Sequence, residues 1–184
     1  MMQPPCPIAE RARTDPDSIA VISGATVYSA RTYDDAISAC TATLNVAQGD
    51  RIGIYGPASF EQLCLLHALW RCGAVAVPIS PHLPAATADA IVSQLGLVDP
   101  SLRSQPCAFG PAPSPSPSHL PAVAVLTSGS TTTPKAVFHT TSSLMHNAIG
   151  ANENMPLTAG DRWLLSLPLY HVSGLGILFR TTLS

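Results

Sequence analysis

The stretch "AVLTSGSTTTPKAVFHT", residues 124–140, sets a run of small hydroxyl residues between two apolar, β-prone runs. From Thr127 to Lys135, seven of nine residues are Ser, Thr or Gly, and the run ends in Pro134 and Lys135. "AVAVL" before it and "KAVFHT" after it read as strands. A strand that exits into a loop of small residues can aim several backbone N–H groups at one point, and such a concavity binds phosphate oxygens. Gly129 supplies the backbone freedom of a tight loop. Ser128, Ser130, Thr131 and Thr133 add hydroxyl donors, and Lys135 adds a mobile charge that reaches a polyphosphate. A plain Ser/Thr-rich surface turn is the reading that composition alone favours. The spacing is not that of a Walker loop, which needs Gly, four residues, then Gly-Lys-Ser/Thr.

Outward from this stretch, the chain alternates strand and helix. Residues 5–14 read as a short helix, and "SIAVIS" and "ATVYS" as a hairpin around Ser23-Gly24. Ser29 caps a helix to about Asn45, with Tyr33, Ile37, Cys40 and Leu44 on one face. "RIGIY" is a short strand. Ser59 caps the next helix, which runs to about Cys72 and stops at Gly73. "AVAVPIS" is continuously apolar, as strands covered on both faces tend to be. Pro84 opens a helix that ends near Leu95-Gly96. Beyond Lys135, Thr141 or Ser142 caps a helix to about Asn152, "RWLLSLP" reads as a further strand, and "LYHVSGLGILFRTTLS" leads through a loop into a helix still unfinished at Ser184. The alternation predicts an α/β fold with mostly parallel sheets flanked by helices.

Residues 106–121 break the pattern: Pro111–Ser118 alone holds four prolines and three serines. Such a segment builds no core and is expected to be extended and mobile. It reads as a loop insertion within one domain, in preference to a linker, because too little sheet lies on either side to stand alone.

Composition excludes several classes of function. With 184 residues, 46% apolar and 11% charged, the chain is long enough for one domain with a real core. A net charge of −2 without a basic block argues against nucleic-acid binding. Five cysteines form no C-x-x-C pair and leave one over, so no full disulfide framework is expected. Six histidines show no metal-ligand spacing. No apolar run approaches the roughly 20 residues of a membrane span. Reduced thiols and the absence of a signal sequence predict the cytoplasm. His67 and His146 fall within helices, and Trp70 and Trp163 read as core residues. Asp34-Asp35 read as a solvated helix start.

Taken in order, the motifs resemble the adenylate-forming enzymes: acyl-CoA synthetases, luciferases and peptide-synthetase adenylation domains. "TSGSTTTPK" is similar to their phosphate-binding signature T/S-S-G-T/S-T-G-x-P-K. Thr132 departs from it, standing where the family has a second glycine; a β-branched residue there resists positive φ. "LHALWRCGAVAVPISPHLP" (residues 66–84) looks like the family's helix–strand segment, and "DRWLLSLPLYHVSGLGIL" (residues 161–178) like its second substrate-site motif. The wording of the latter is nearest to the o-succinylbenzoate–CoA ligase branch of menaquinone biosynthesis.

The resemblance implies a reaction and its residues. A carboxylate attacks the α-phosphorus of Mg-ATP, pyrophosphate leaves, and the CoA thiol captures the acyl group. Thr127, Ser128, Gly129, Ser130, Thr131 and Lys135 would form the phosphate loop. His171 and Lys135 would be the catalytic residues, with Tyr170, Ser173 and Gly174 near His171. The implied partners are a small carboxylic acid, ATP, Mg2+ and coenzyme A, and a homo-oligomer is left open. Rival readings are a ligase for another aryl or fatty acid, and a non-catalytic nucleotide-binding remnant. The family's later Tyr-Gly-x-Thr-Glu segment, its ribose-binding aspartate and the lysine of its small C-terminal domain have no counterpart up to Ser184. The chain is therefore expected to be the front part of the large N-terminal domain, without the small C-terminal domain. Sheet edges and apolar helix faces should be uncovered. The isolated chain should be poorly soluble or partly molten and show no ligase turnover.

Overall fold

Capped helices and short apolar strands alternate along the chain in the computed structural model, which describes residues 6–98, 120–127 and 135–183. Helix α1 (Pro7–Thr14) leads to a hairpin of β1 (Ile19–Ser23) and β2 (Thr26–Ser29), turned by Gly24 at φ 58°. Ser29 accepts a hydrogen bond from the Thr32 N–H at 3.2 Å and starts α2 (Ala30–Thr43). Strand β3 (Arg51–Tyr55) follows, then α3 (Phe60–Arg71), whose cap Ser59 accepts from the Gln62 N–H at 3.2 Å. Next come β4 (Val75–Ile79), α4 (Ala85–Leu95), β5 (Pro121–Thr127), β6 (Lys135–Thr140), α5 (Thr141–Asn154) and α6 (Val172–Thr182).

The main sheet has the order β3-β4-β5-β6. β3, β4 and β5 are parallel, as the alternation with helices requires. β6 runs antiparallel to β5, with Thr127 opposite Lys135. The short connection between those two residues decides this, because a parallel return needs a crossover of a dozen or more residues. All five residues of β4 are buried. On one face, Ile52, Ile54, Val123 and Val125 pack with α3, α5 and α6; on the other, Val75, Val77 and Ile79 meet Ile91 and Leu95 of α4.

One buried cluster stitches these layers together. Trp70 donates from Nε1 to the Ala122 carbonyl at 2.8 Å and packs against Phe179 of α6, ring centroids 5.0 Å apart. His67 lies edge-on to Trp70, with Nδ1 2.9 Å from the Leu63 carbonyl and 3.0 Å from the Tyr33 hydroxyl. The carbonyl only accepts, so the proton sits on Nδ1. Burial lowers the His67 pKa to about 4, and the ring is neutral at pH 7. Burial likewise pushes the Cys64 thiol up to about 12, which makes it a core group and no nucleophile. Cys6, Cys40, Cys64 and Cys72 are all free thiols.

Several sequence expectations change. Arg162–Pro168 is no strand: it pairs with no strand among the described residues, the Ser166 N–H turns back to the Leu164 carbonyl at 2.9 Å, and Leu164 is 79% exposed. A ladder needs a neighbour, which hydropathy does not reveal. The α5 cap is Thr140, accepting from the Ser143 N–H at 3.0 Å, in place of Thr141 or Ser142. Trp163 is half-buried under the Arg180 guanidinium, 4.3 Å from ring centroid to Cζ. Asp34 is no idle helix-start charge; it pairs with Arg71 and ties α2 to α3. α6 closes at Thr182, and the Leu183 N–H donates to the Arg180 carbonyl. Pro121 belongs to β5, while residues 106–119 of the expected insertion lie outside the described residues. No described helix is long and apolar enough to cross a membrane.

Candidate functional site

Parallel β3, β4 and β5 end at Tyr55, Ile79 and Thr127, so their carboxyl ends share one edge of the sheet. Open α/β sheets bind ligands outside that edge. Antiparallel β6 begins there, at Lys135. The Thr127 hydroxyl donates to the Lys135 carbonyl at 3.2 Å, bracing the two ends of the hydroxyl-rich loop against each other. Lys135 is exposed. Ser128, Gly129, Ser130 and Thr131, and Thr132 with them, lie outside the described residues.

His171 is fixed by the turn that starts α6. Its N–H donates to the Pro168 carbonyl at 3.1 Å, and its own carbonyl accepts from the Gly174 N–H at 3.1 Å. Gly174 is what lets this turn close. A Cβ there would lie 2.2 Å from the Pro168 oxygen and 2.7 Å from the Leu167 oxygen, so no larger residue fits without moving backbone. The exposed His171 ring meets the Tyr170 ring edge-on at 4.8 Å. Tyr170 in turn lines a cavity of about 240 Å³ with Gly56, Pro57, Ile79, Pro81 and His82, the residues at and just beyond the ends of β3 and β4.

The structure thus brings Thr127 and Lys135 together, and sets Tyr170 beside the ends of β3 and β4 with the His171 ring against it. Among the described residues, His171 makes no side-chain hydrogen bond to either Thr127 or Lys135. Gln62 and His82, which also line the cavity, are passed over by the sequence reading. The signal for His82 was the proline-rich turn "PISPHLP" directly after a buried strand. Gln62 gave none: its amide reaches back to the Tyr55 carbonyl at 2.7 Å, a contact made only by folding. His146 takes no part; its Nδ1 sits 2.8 Å from the Ser142 carbonyl one helical turn away. A second, larger cleft of about 650 Å³ lies between β1 and residues 157–165 and touches none of Thr127, Lys135 and His171.

The family model for AMP-binding enzymes matches residues 8–102 and 97–184. This chain belongs to the AMP-binding enzyme family. It is similar to the 2-succinylbenzoate–CoA ligase of Salmonella typhimurium, 34% identical over 161 residues, 79% of this chain and 35% of that protein. It is 33% identical over 159 residues to the 2-succinylbenzoate–CoA ligase of Escherichia coli, with the same coverage. The chain thus spans 35% of the length of these two relatives. Among solved structures, E. coli MenE with bound OSB-AMS superposes with a TM-score of 0.83 at 25% identity, over 99% of this chain and 44% of that one. Bacillus subtilis MenE in complex with ATP and magnesium superposes at 0.85 with 24% identity, over 98% of this chain and 55% of that one, which shows the shared fold. Membership of this family fits the α/β order and the loop wording, and the relatives named here are 2-succinylbenzoate–CoA ligases.

Proposed function

We propose that this AMP-binding chain is the front part of an ATP-dependent acid–CoA ligase, with o-succinylbenzoate as its acid. One observation carries the reading. Thr127 and Lys135 are paired at the carboxyl edge of three parallel strands and "LPLYHVSG" borders the same edge, which supports a phosphate ligand there. The named ligase relatives support the choice of acid.

In the first half-reaction, an oxygen of the acid's carboxylate forms a bond to the α-phosphorus of ATP. The bond from that phosphorus to the β-phosphate oxygen breaks, and pyrophosphate leaves with the electron pair. In the second, the CoA sulfur bonds to the acyl carbon and AMP leaves. Lys135, exposed at the first position of β6, would hold the charge that develops on the leaving pyrophosphate. Ser128, Gly129, Ser130 and Thr131 would offer backbone N–H groups to the same phosphates. Thr127 spends its hydroxyl hydrogen on the Lys135 carbonyl, so its task is to keep the loop's ends in register. His171, held against Tyr170, would orient the acid beside the α-phosphate. Magnesium would enter with ATP; among the described residues no group of three or more His, Cys, Asp or Glu could hold a metal ion by itself.

Two measurements test this. The chain itself should bind Mg-ATP, and Lys135→Ala should weaken binding at least about tenfold, the loss of one charge-assisted contact. Unchanged affinity in that variant would remove the loop from the site. For the acid, the longest reading frame that carries this chain is assayed for ATP–pyrophosphate exchange. O-succinylbenzoate should stimulate it more than benzoate or fatty acids. A preference for one of those reassigns the substrate, and ATP binding with no exchange for any acid points to a nucleotide-binding remnant.

A further inference from the structure

Lys135 is the one lysine of the chain, against eight arginines. Arginines make the structural contacts. Arg13 pairs with Glu10 and Arg71 with Asp34, Arg51 donates to the Leu95 carbonyl at 3.0 Å, and Arg180 donates to Asn152 Oδ1 at 2.7 Å. Lys135 has no ion pair among the described residues. Its side chain is exposed at the first position of β6, while its backbone carbonyl is tied to the Thr127 hydroxyl at 3.2 Å. An anchored backbone and a four-carbon stem let the amine sweep the carboxyl edge of the sheet. A charge for phosphate could equally come from arginine, which binds phosphate with two parallel hydrogen bonds. What a guanidinium cannot do is lose its proton and attack a carbonyl; a lysine amine can, and is a common target of acylation.

The reaction proposed above creates such a carbonyl at the same edge, in the mixed anhydride of the acid and AMP. We propose that Lys135 is a self-acylation site, which takes the acyl group when no thiol arrives to accept it. The lone pair of Nζ forms a bond to the acyl carbon. The bond from that carbon to the phosphate oxygen breaks, AMP leaves with the electron pair, and a proton passes from Nζ to water. The product is an uncharged amide. The loop then lacks the cation it presents to a polyphosphate, so an acylated chain drops out of ATP binding, and ATP consumption falls when thiol is scarce. For its acyl donor this rests on the catalytic reading.

The test gives the chain acetyl adenylate, a small acyl–AMP anhydride, and maps acetyl groups by mass spectrometry. With one lysine present, an acetyl amide lies either on Lys135 or on the α-amine of the chain, which serves as an internal reference. An α-amine is ordinarily the more available of the two kinds at neutral pH. Lys135 should nevertheless be acetylated faster, and saturating Mg-ATP should suppress its labelling and not that of the α-amine. The acetylated chain should bind Mg-ATP at least about tenfold more weakly, the loss of one charge-assisted contact. Lys135→Arg keeps a charge and cannot be acylated, so it should lose the label and keep more of the Mg-ATP affinity than Lys135→Ala. Labelling of Lys135 that is no faster than that of the α-amine, or that ignores Mg-ATP, overturns the proposal. The longest reading frame that carries this chain is then incubated with o-succinylbenzoate and ATP without CoA. It should gain the acyl group on Lys135, and CoA should prevent the gain. ATP–pyrophosphate exchange in the same sample separates the two readings. Exchange without acylated Lys135 overturns this proposal alone. No exchange with any acid overturns the catalytic reading, and the acetyl adenylate result then decides by itself whether Lys135 takes an acyl group from an adenylate.

Discussion

β4 and the segment Arg162–Leu167 are both short and apolar, and they end in opposite situations. "VAVPI" is buried at every position, between β3 and β5 and beneath helices on both faces. "RWLLSL" leaves Leu164 79% and Leu167 42% exposed. Hydropathy does not separate them. The difference lies in neighbours: β4 finds its ladder partners and both cover layers within the described residues, whereas the second segment finds no ladder partner among them. Buried apolar surface contributes stability only where something covers it. The same comparison holds for the half of the site each region supports. Thr127 ends β5, next to β4, and Lys135 opens β6, one strand further out, while Tyr170 and His171 stand just beyond the uncovered segment.

The comparison breaks most directly at its two most contrasting residues. Trp70 is 8% exposed and links α3, β5 and α6, so Trp70→Ala should cost about 3–5 kcal/mol. Much of that comes from the cavity, and part from the Ala122 carbonyl left without its donor. Leu164→Ala should stay within about 0.5 kcal/mol. Urea unfolding of the two variants gives both numbers. Equal losses would mean that the exposed segment already packs within this chain, and the contrast with β4 would fail.

A slightly smaller effect is expected from pH, through the same buried cluster. The His67 pKa is lowered by burial to about 4 in the folded chain. The unfolded chain protonates this residue near 6.5. Between those values the unfolded state binds the extra proton, so stability is full above about pH 6.5 and falls as pH drops through the window. The loss is about 3 kcal/mol by pH 4, at a slope of about 1.4 kcal/mol per pH unit. His67→Gln keeps a side-chain donor and cannot titrate, so its urea midpoint should be flat where the parent's declines. A parallel decline in both would assign the acid sensitivity to carboxylates such as Glu10, Glu61 and Asp161, each lowered by hydrogen bonds.

How much of this could be read beforehand follows the same divide. Features set by local chemistry were legible: the caps Ser29 and Ser59, the Gly24 turn, the αL end of α4 at Gly96, and the doubly buried run of β4. Features set by partners distant in sequence were not. The antiparallel sense of β6 follows from a short connection, but only once β5 and β6 are known to be neighbours. "RWLLSLP" has the pattern of a strand and lacks the partner that would make it one. Asp34 looked like a solvated charge because Arg71 lies 37 residues away. At the site, motif order marked Thr127, Lys135 and His171, whereas Gln62 and His82 emerged only from the fold.

The smallest prediction concerns two glycines of α6, two residues apart, on either side of the same comparison. Gly176 has nothing within 4 Å of where a Cβ would stand, and a glycine inside a helix costs roughly 0.5–1 kcal/mol relative to alanine. Gly176→Ala should therefore stabilise the chain by up to about that amount. Gly174 faces the opposite constraint, because the atoms at 2.2 Å and 2.7 Å are backbone carbonyls of Pro168 and Leu167 and no rotamer change relieves them. Gly174→Ala must push α6 away from the segment it rests on, which should cost about 1–3 kcal/mol. The displacement falls on the turn that holds His171, so Gly174→Ala should also impair the acid-dependent exchange reaction in the longer reading frame while leaving the Mg-ATP affinity of this chain close to that of the parent. Opposite signs for the two glycines would show that the uncovered segment, despite its exposed leucines, is held firmly where it meets α6. Two stabilising substitutions would show that it gives way there as well, and that the turn at Gly174 does not fix the position of His171.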